Sequence, residues 1–382
     1  YHSNWLNMMY PRLRLARNLL REDGIIFISL DENESNNLKS ILNEIYGESN
    51  FIAELIWKNK HGGGGDSPYM VKEHEYIFMY CKNINTLPNL FSKPAPAYDK
   101  MFREKDERGK FYYDRLDKKG IDANRPNLIY PIECPDGSLK DISPAIWRLS
   151  KEEFLRRKSK NQIGFKKDKN DEWQVYTKTY LYDEDGNKRR VKGRSILKQE
   201  IVGFTQNGNK ECEAILGKRI FSNPKPIDLI EYLMDIVFDK EKEGIVLDFF
   251  SGSASSAHSL FHLNLNDNGD RNFIQVQLPE LTESKSQAYK EGYKTITEIG
   301  KERIRRAAKK IAAESPEKAK DLDLGFKVFK LDSSNIKSWD GNPENLQEEL
   351  FEARDNIKTD RTEEDVLYEI LLKYGLDLTL PI

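Results

Sequence analysis

The stretch Gly244-Ile-Val-Leu-Asp248-Phe-Phe-Ser-Gly252-Ser-Ala-Ser-Ser-Ala-His258-Ser-Leu-Phe261 constrains this chain more than any other. An apolar run ends in an acid, a turn of small residues follows, and an apolar-periodic segment comes next. That order reads as strand, turn, helix. It places the Asp248 carboxylate at the carboxyl end of a buried strand, where open α/β sheets bind ligands. The lack of bulk in the turn lets a ligand approach the backbone. A nucleotide-type half-domain normally opens with this unit, yet here 243 residues precede it.

The turn Ser251-Gly-Ser-Ala-Ser255 holds one glycine. It therefore fails the G-x-G-x-x-G pattern for dinucleotides, and it lacks the Gly-Lys-Ser/Thr of a triphosphate loop. A second acid, Glu280, follows another apolar run, Asn272–Leu278. An acid at the end of the second strand of such a unit binds ribose hydroxyls, two acceptor oxygens matching two vicinal donors. Asp248 and Glu280 together frame a site for a nucleoside whose tail carries an amino group. Standing alone, the segment also reads as a purely structural strand–helix turn.

With 382 residues, 38% hydrophobic and 32% charged, the chain has room for two or three domains with buried cores. No apolar run approaches membrane-spanning length and no signal peptide is visible. Cys81, Cys134 and Cys212 are far apart, without metal-pair spacing or a disulfide framework, which points to a reducing, cytoplasmic setting. The chain begins at Tyr1 rather than Met, as a fragment does. A net charge of −2 conceals two opposed blocks: residues 151–198 carry 15 Lys and Arg against 8 Asp and Glu, and residues 341–369 carry 3 against 10. A basic block neutralises phosphates and favours nucleic acid, or else is a solvated surface.

Residues 4–22 show helical periodicity across Pro11, and Asp23-Gly24 stops it. Ile25–Leu30 is a continuous apolar strand of the kind covered on both faces in a parallel sheet. A helix over 35–46 and strands over Phe51–Lys58 and Glu73–Cys81 follow, with the loop His61-Gly-Gly-Gly-Gly65-Asp66 between the last two. The order α, β, α, β, β suits the second half of a doubly wound sheet ending in a hairpin. Residues 84–218, rich in prolines, aromatics and turn signals, read as an inserted mixed, mostly β domain, with a hairpin formed by Thr177–Tyr182 and Lys188–Ile196. The core resumes with a helix over Ile227–Phe238, strands over Ile245–Phe250 and Asn272–Leu278, helices over Ser255–Leu263 and about 295–314, and a late strand over Phe326–Leu331. Residues 341–382 read as two acidic helices.

At this point a resemblance becomes specific. Asp-Phe-Phe-Ser-Gly-Ser-Ala-Ser (248–255) resembles the S-adenosylmethionine motif of DNA amino-methyltransferases, Asp-Pro-Phe-x-Gly-Ser-Gly-Thr, with Phe249, Ala254 and Ser255 as the departures. Phe221-Ser-Asn-Pro-Lys-Pro226 is similar to the segment that precedes this motif in the permuted, β-class enzymes, and Gln275–Glu280 resembles their ribose-binding strand end. Asn4–Leu13, Ile26–Glu34 and Gly325–Asp332 look like the modification (Mod) subunit of Type III restriction–modification systems.

The resemblance implies a Rossmann-like α/β methyltransferase core, its doubly wound, mostly parallel sheet ending in a β-hairpin and interrupted by a mixed, mostly β target recognition domain. The expected divisions are a catalytic half at 1–83, the recognition domain at 84–218, the S-adenosylmethionine-binding half at 219–335 and an acidic helical segment at 336–382. The implied cofactor is S-adenosylmethionine, held by Asp248, Phe249, Phe250, Ser251, Gly252, Ser253 and Glu280 with Asn223, Lys225 and Pro226. The implied reaction is methyl transfer to adenine N6 of double-stranded DNA with the target base flipped out. Cytosine N4 and a catalytically incomplete DNA-binding or assembly subunit remain as alternatives. The family's Asp-Pro-Pro-Tyr tetrad is expected just ahead of Tyr1, since this sequence contains no Pro-Pro dipeptide. The present chain is then inactive by itself, with no catalytic residue to assign.

Around the target base the sequence offers Asp31, His74 and Tyr76. Glu34 is a further acid there, and Tyr80 a second aromatic. Helix capping is the other role for the acids, and a core position the other for the tyrosines. The Gly62–Gly65 loop either closes over DNA or is a flexible hairpin tip. Arg156, Arg157, Lys158, Lys166, Lys167, Arg189, Arg190, Lys192 and Arg194 are candidate phosphate contacts, which set affinity and salt dependence rather than sequence. His258 and His262 lie i, i+4 on one helix, but no third ligand is evident and no metal is expected. A homodimer and a restriction (helicase/nuclease) subunit are the expected protein partners, with the acidic helices serving one or the other.

Overall fold

A computed structural model describes residues 2–62, 67–118, 125–143, 145–337 and 356–379. The described residues form a mixed α/β protein in two compact units, Tyr1–Asp323 and Leu324–Ile382. In the first unit, helix α1 (His2–Leu19) runs through Pro11 and buries Met9, Leu13 and Ala16. Strand β1 (Ile25–Leu30), helix α2 (Ser35–Tyr46), β2 (Phe51–Lys58) and β3 (His74–Cys81) follow. Strand β3 lies between β1 and β2 and runs antiparallel to both. The unbroken apolar run of β1 therefore reports burial on two faces rather than parallel neighbours. One face meets α1 and α2 through Leu13, Leu38, Leu42, Phe78 and Tyr80. The other meets a later helix through Trp57, Ile77, Leu229 and Tyr232.

The middle of the chain builds a four-stranded antiparallel sheet from β4 (Glu104–Asp106), β5 (Gly109–Arg115), β6 (Ile163–Lys167) and β7 (Trp173–Tyr180), in the order β6-β7-β5-β4. Helix α3 (Lys151–Ser159) packs on it through Phe154, in a small core around Trp147. The hairpin expected from Thr177–Tyr182 and Lys188–Ile196 is reduced to its tip, a turn in which Arg189 N–H donates to the Leu181 carbonyl at 2.8 Å and Tyr182 bridges Lys188. Strand β7 pairs with β5 and β6 instead. Lys188–Ile196 makes only single bridges, to Tyr182, Ser92 and Ile56.

Helix α4 (Thr205–Leu216) leads through Ser222–Pro226 into α5 (Ile227–Phe238). Gly208 makes that route feasible, because a Cβ there would lie 2.1 Å from the Pro224 carbonyl oxygen. Strand β8 (Glu243–Asp248), α6 (Ser255–Asp267), β9 (Asp270–Gln275) and α7 (Ile296–Glu314) complete the unit. Strands β8 and β9 are parallel, with Asp248 opposite Gln275. Val246 and Phe273 face the core formed by Met234, Phe238, Leu260 and Leu263, whereas Ile245 and Ile274 on the opposite face are exposed. Strand β9 is shorter than the apolar run to Leu278 suggested. Its partner ends at Asp248, and the chain departs after Val276 N–H donates to the Asp248 carbonyl at 2.8 Å.

In the second unit, Phe326–Leu331 forms no strand among the described residues. Helix α8 (Glu363–Lys373) begins at a cap in which the Thr362 hydroxyl accepts from Asp365 N–H. The remainder of the expected acidic helices, 341–355, lies outside the described residues. No described helix is long and apolar enough to cross a membrane.

Candidate functional site

Parallel pairing of β8 and β9 brings two strand ends to one edge, and the turn Phe249–Ala254 rises from the first of them. Asp248 closes this turn. Its Oδ1 accepts from Phe250 N–H at 3.1 Å, and its Oδ2 accepts from the Ser256 hydroxyl at 2.5 Å. The Gln275 side-chain amide meets the same hydroxyl at 3.0 Å, so the facing residues of the two strands share one hydroxyl on α6. Gln277 Oε1 accepts from Gly252 N–H at 2.8 Å. Each carboxylate oxygen has two acceptor positions, which leaves Asp248 capacity for a further donor.

The turn ends in an unusual conformation. Ala254 has φ 59° and ψ 39°, the left-handed region that a side chain disfavours. Its N–H closes the turn on Ser251 O at 2.7 Å. Ser253 is buried with its hydroxyl directed inward, so only its backbone is available to a ligand. Phe249 packs against the core of α1, β1 and α2, tying the turn to the first part of the chain. Phe250 is half exposed.

Glu280 lies beyond β9 in exposed chain, not at the tip of its ladder. No side chain among the described residues bonds its carboxylate, while its backbone carbonyl accepts from Ile296 N–H at 2.9 Å and anchors the start of α7. Val276 and Leu278, between strand and acid, expose apolar surface.

Asn223 (φ 53°) is exposed, and Pro226 is buried as the N-cap of α5. Lys225 reaches Glu75 of β3 at 3.2 Å and lies 5.5 Å from the Trp57 ring centroid. Asn59 donates to the same Glu75 at 2.8 Å. Lys225 thus belongs to a polar cluster with the hairpin β2–β3 rather than to the Asp248 turn. Among the expected target-base residues, His74 is exposed, in edge contact with a partly buried Tyr76 at 5.1 Å. Asp31 closes a local turn onto Asn33, at 3.0 Å to its N–H. Glu34 holds His2 and Asn37, and the side-chain bonds to both lower its pKa. Tyr80 is fully buried, its hydroxyl donating to Asn43, and cannot meet a base. In the loop after β2, Gly63–Asp66 lie outside the described residues.

His258 and His262 stand 5.1 Å apart on α6. Burial holds both imidazoles below their ordinary pKa, His258 at about 2. Among the described residues no group of three or more metal-ligating side chains forms.

Several residues of the site escaped the sequence reading: Ser256, Gln275, Glu75 and Arg303. Arg303 carried a signal. It falls within the apolar stripe Ile299, Ile304, Ala307, Ile311 of α7, where a charge is out of place. It is fully buried against the turn, donating to the hydroxyls of Ser253 and Ser255.

A profile of DNA methylases matches residues 1–310, spanning both the early sheet and the β8–β9 unit. The chain belongs to the DNA methylase family. It is similar to the Type III restriction-modification enzyme StyLTI Mod subunit of Salmonella typhimurium, 34% identical over 86% of this chain and 48% of that protein. The EcoP15I Mod subunit of Escherichia coli is 34% identical over 86% of this chain and 53% of its own length. The Type II methyltransferase M.KpnI of Klebsiella pneumoniae is 29% identical over 78% and 72%. The chain spans about half the length of the Mod subunits it matches. Membership of this DNA methylase family implies a methyl donor.

Proposed function

We propose that the chain is the donor-binding part of a Type III Mod methyltransferase. In this reading it binds S-adenosylmethionine at the β8–β9 edge for transfer to adenine N6 of double-stranded DNA. One observation carries the reading: a carboxylate-closed turn rises from the end of one parallel strand opposite Gln275 at the end of the next, with an open acid, Glu280, in the exposed chain that follows. The donor set suits this cofactor. The Gln275 side-chain amide has one buried atom without a hydrogen-bond partner among the described residues, a polar group open to a ligand. The Glu280 carboxylate is free to accept from vicinal ribose hydroxyls, and Phe250, Val276 and Leu278 offer apolar surface to a purine ring. Asp248 retains acceptor capacity for the amino group of the methionine tail. When bound, the cofactor supplies a sulfonium methyl group, and this chain's residues supply its position.

In this reading the antiparallel sheet β1-β3-β2 and the parallel pair β8–β9 are the two parts of a permuted methyltransferase core, with residues 84–218 as the recognition domain between them. Flipping of the target base, a homodimer and a restriction subunit belong to the same proposal. The tetrad that holds a target amine is absent from these 382 residues, so methylation is assayed on the full-length gene product. N6-methyladenine in the digested DNA is expected; N4-methylcytosine would reassign the base. The second reading is a DNA-binding or assembly subunit without catalysis. Calorimetry tests the donor site and sets it apart from a nicotinamide-binding one. The chain should bind S-adenosylmethionine and not NAD, and Asp248→Ala should abolish binding with the fold intact. Binding of normal strength in Asp248→Ala rejects the assigned role.

A further inference from the structure

Helix α7 turns one face toward the back of the Ser251–Ser255 turn. At Gly300 a Cβ would sit 3.1 Å from the Gly252 carbonyl oxygen and 3.6 Å from the Ala254 Cβ, so the helix lies directly against the backbone. One helical turn on, Arg303 Nη1 donates to Ser253 Oγ at 2.8 Å and to Ser255 Oγ at 2.7 Å. These hydroxyls flank Ala254, the residue in the left-handed conformation. The other donors of Arg303, Nε and Nη2, have no partner among the described residues. The nearby Glu211 carboxylate is bonded to Ile227 N–H instead. A guanidinium buried with three of its five donors idle costs stability relative to an apolar side chain of its size. Its contribution lies in what it holds, and both of its bonds end on the turn.

We propose that Arg303 is a positioning residue for the methyl donor. From behind the turn it draws the Ser253 and Ser255 hydroxyls inward and keeps Ala254 left-handed. It thereby sets where the backbone of Ser251–Ser253 and the Asp248 carboxylate meet the cofactor. The inference rests on the cofactor reading above. It also accounts for the departure of this turn from the family motif: an alanine stands where glycine would adopt the same conformation freely, and the arginine supplies the restraint.

The test is the calorimetric Kd for S-adenosylmethionine, measured on the whole chain well below each variant's unfolding midpoint. Arg303→Met should weaken binding about tenfold, the equivalent of ~1.4 kcal/mol. Arg303→Lys should recover part of the loss. Adding Ala254→Gly to Arg303→Met should recover most of it, which a merely structural role would not produce. An unchanged Kd in Arg303→Met, or no recovery on adding Ala254→Gly, overturns the proposal. If Arg303→Met does not fold, Ser253→Ala with Ser255→Ala removes the same contacts from the other side. It should weaken binding similarly, and an unchanged Kd overturns the proposal. Failure of the unmodified chain to bind the cofactor would sink the donor site itself. Binding that is lost in Asp248→Ala but unaffected in Arg303→Met would sink only the role of Arg303.

Discussion

Asp248 and His258 lie ten residues apart in sequence, the first partly exposed and the second buried. The aspartate keeps both oxygens bonded and still has room for a ligand. The histidine is almost fully buried, its Nδ1 without a partner among the described residues. Desolvation, then the Arg303 charge, hold its pKa down to about 2. In the unfolded chain it titrates near 6.5. Below that pH the unfolded state binds a proton that the folded state refuses. Stability is therefore complete above pH ~6.5 and falls as the pH drops, by at most ~1.4 kcal/mol per unit for this group. Urea unfolding at pH 7, 6 and 5 should show a weaker pH dependence in His258→Gln than in the unmodified chain. Parallel curves would mean that His258 is protonated in the fold.

At the scale of elements, Arg190, in the middle stretch of the chain, makes a buried ion pair with α5. Arg190 meets Asp235 of α5 through Nη1 at 3.0 Å and Nη2 at 2.7 Å, and Nη2 also donates to the Phe91 carbonyl at 2.9 Å. Arg190 is thus withdrawn from the set of phosphate contacts. Asp235→Ala strips Arg190 of its bidentate partner and leaves only the Asp239 carboxylate beside Nε, which should cost about 2 kcal/mol in chemical denaturation; a loss below about 0.5 kcal/mol would mean that the cation is solvated. The sequence made β1, α2, β2 and α5 legible to within a residue, because strong periodicity and clear stops coincide there. It misled where pattern lacked a partner. Lys188–Ile196 alternates like a strand but strides between Tyr182, Ser92 and Ile56. Phe326–Leu331 alternates but forms no strand among the described residues. At the site, Asp248 and its turn were readable from local order. The inward Ser253 hydroxyl, the Gln275 and Ser256 bonds and the Lys225–Glu75 pair were not, because each depends on a neighbour distant in sequence.

Across the whole molecule, the basic block is less free than its composition suggests. Arg156 and Arg157 are spent on Glu153, Lys166 on Glu104, Lys167 on Asp171 and Lys188 on Asp99. Arg189 donates to the Tyr180 carbonyl, and Lys192 to Asn89. Lys158 and Arg194 are exposed without such a partner among the described residues, and they are the better candidates for phosphate contact. Reversing both charges should weaken DNA binding and reduce the slope of log K against log salt by about 2. An unchanged slope would move the DNA path elsewhere.

The central claim is that the β8–β9 edge holds a methyl-donating nucleoside, and a crystal structure of the chain with S-adenosylmethionine addresses it directly. The account predicts ribose hydroxyls within hydrogen-bond reach of Glu280, the methionine tail against Asp248 and the Ser251–Ser253 backbone, and Ala254 still left-handed. A cofactor bound elsewhere, with both carboxylates facing solvent, would contradict it.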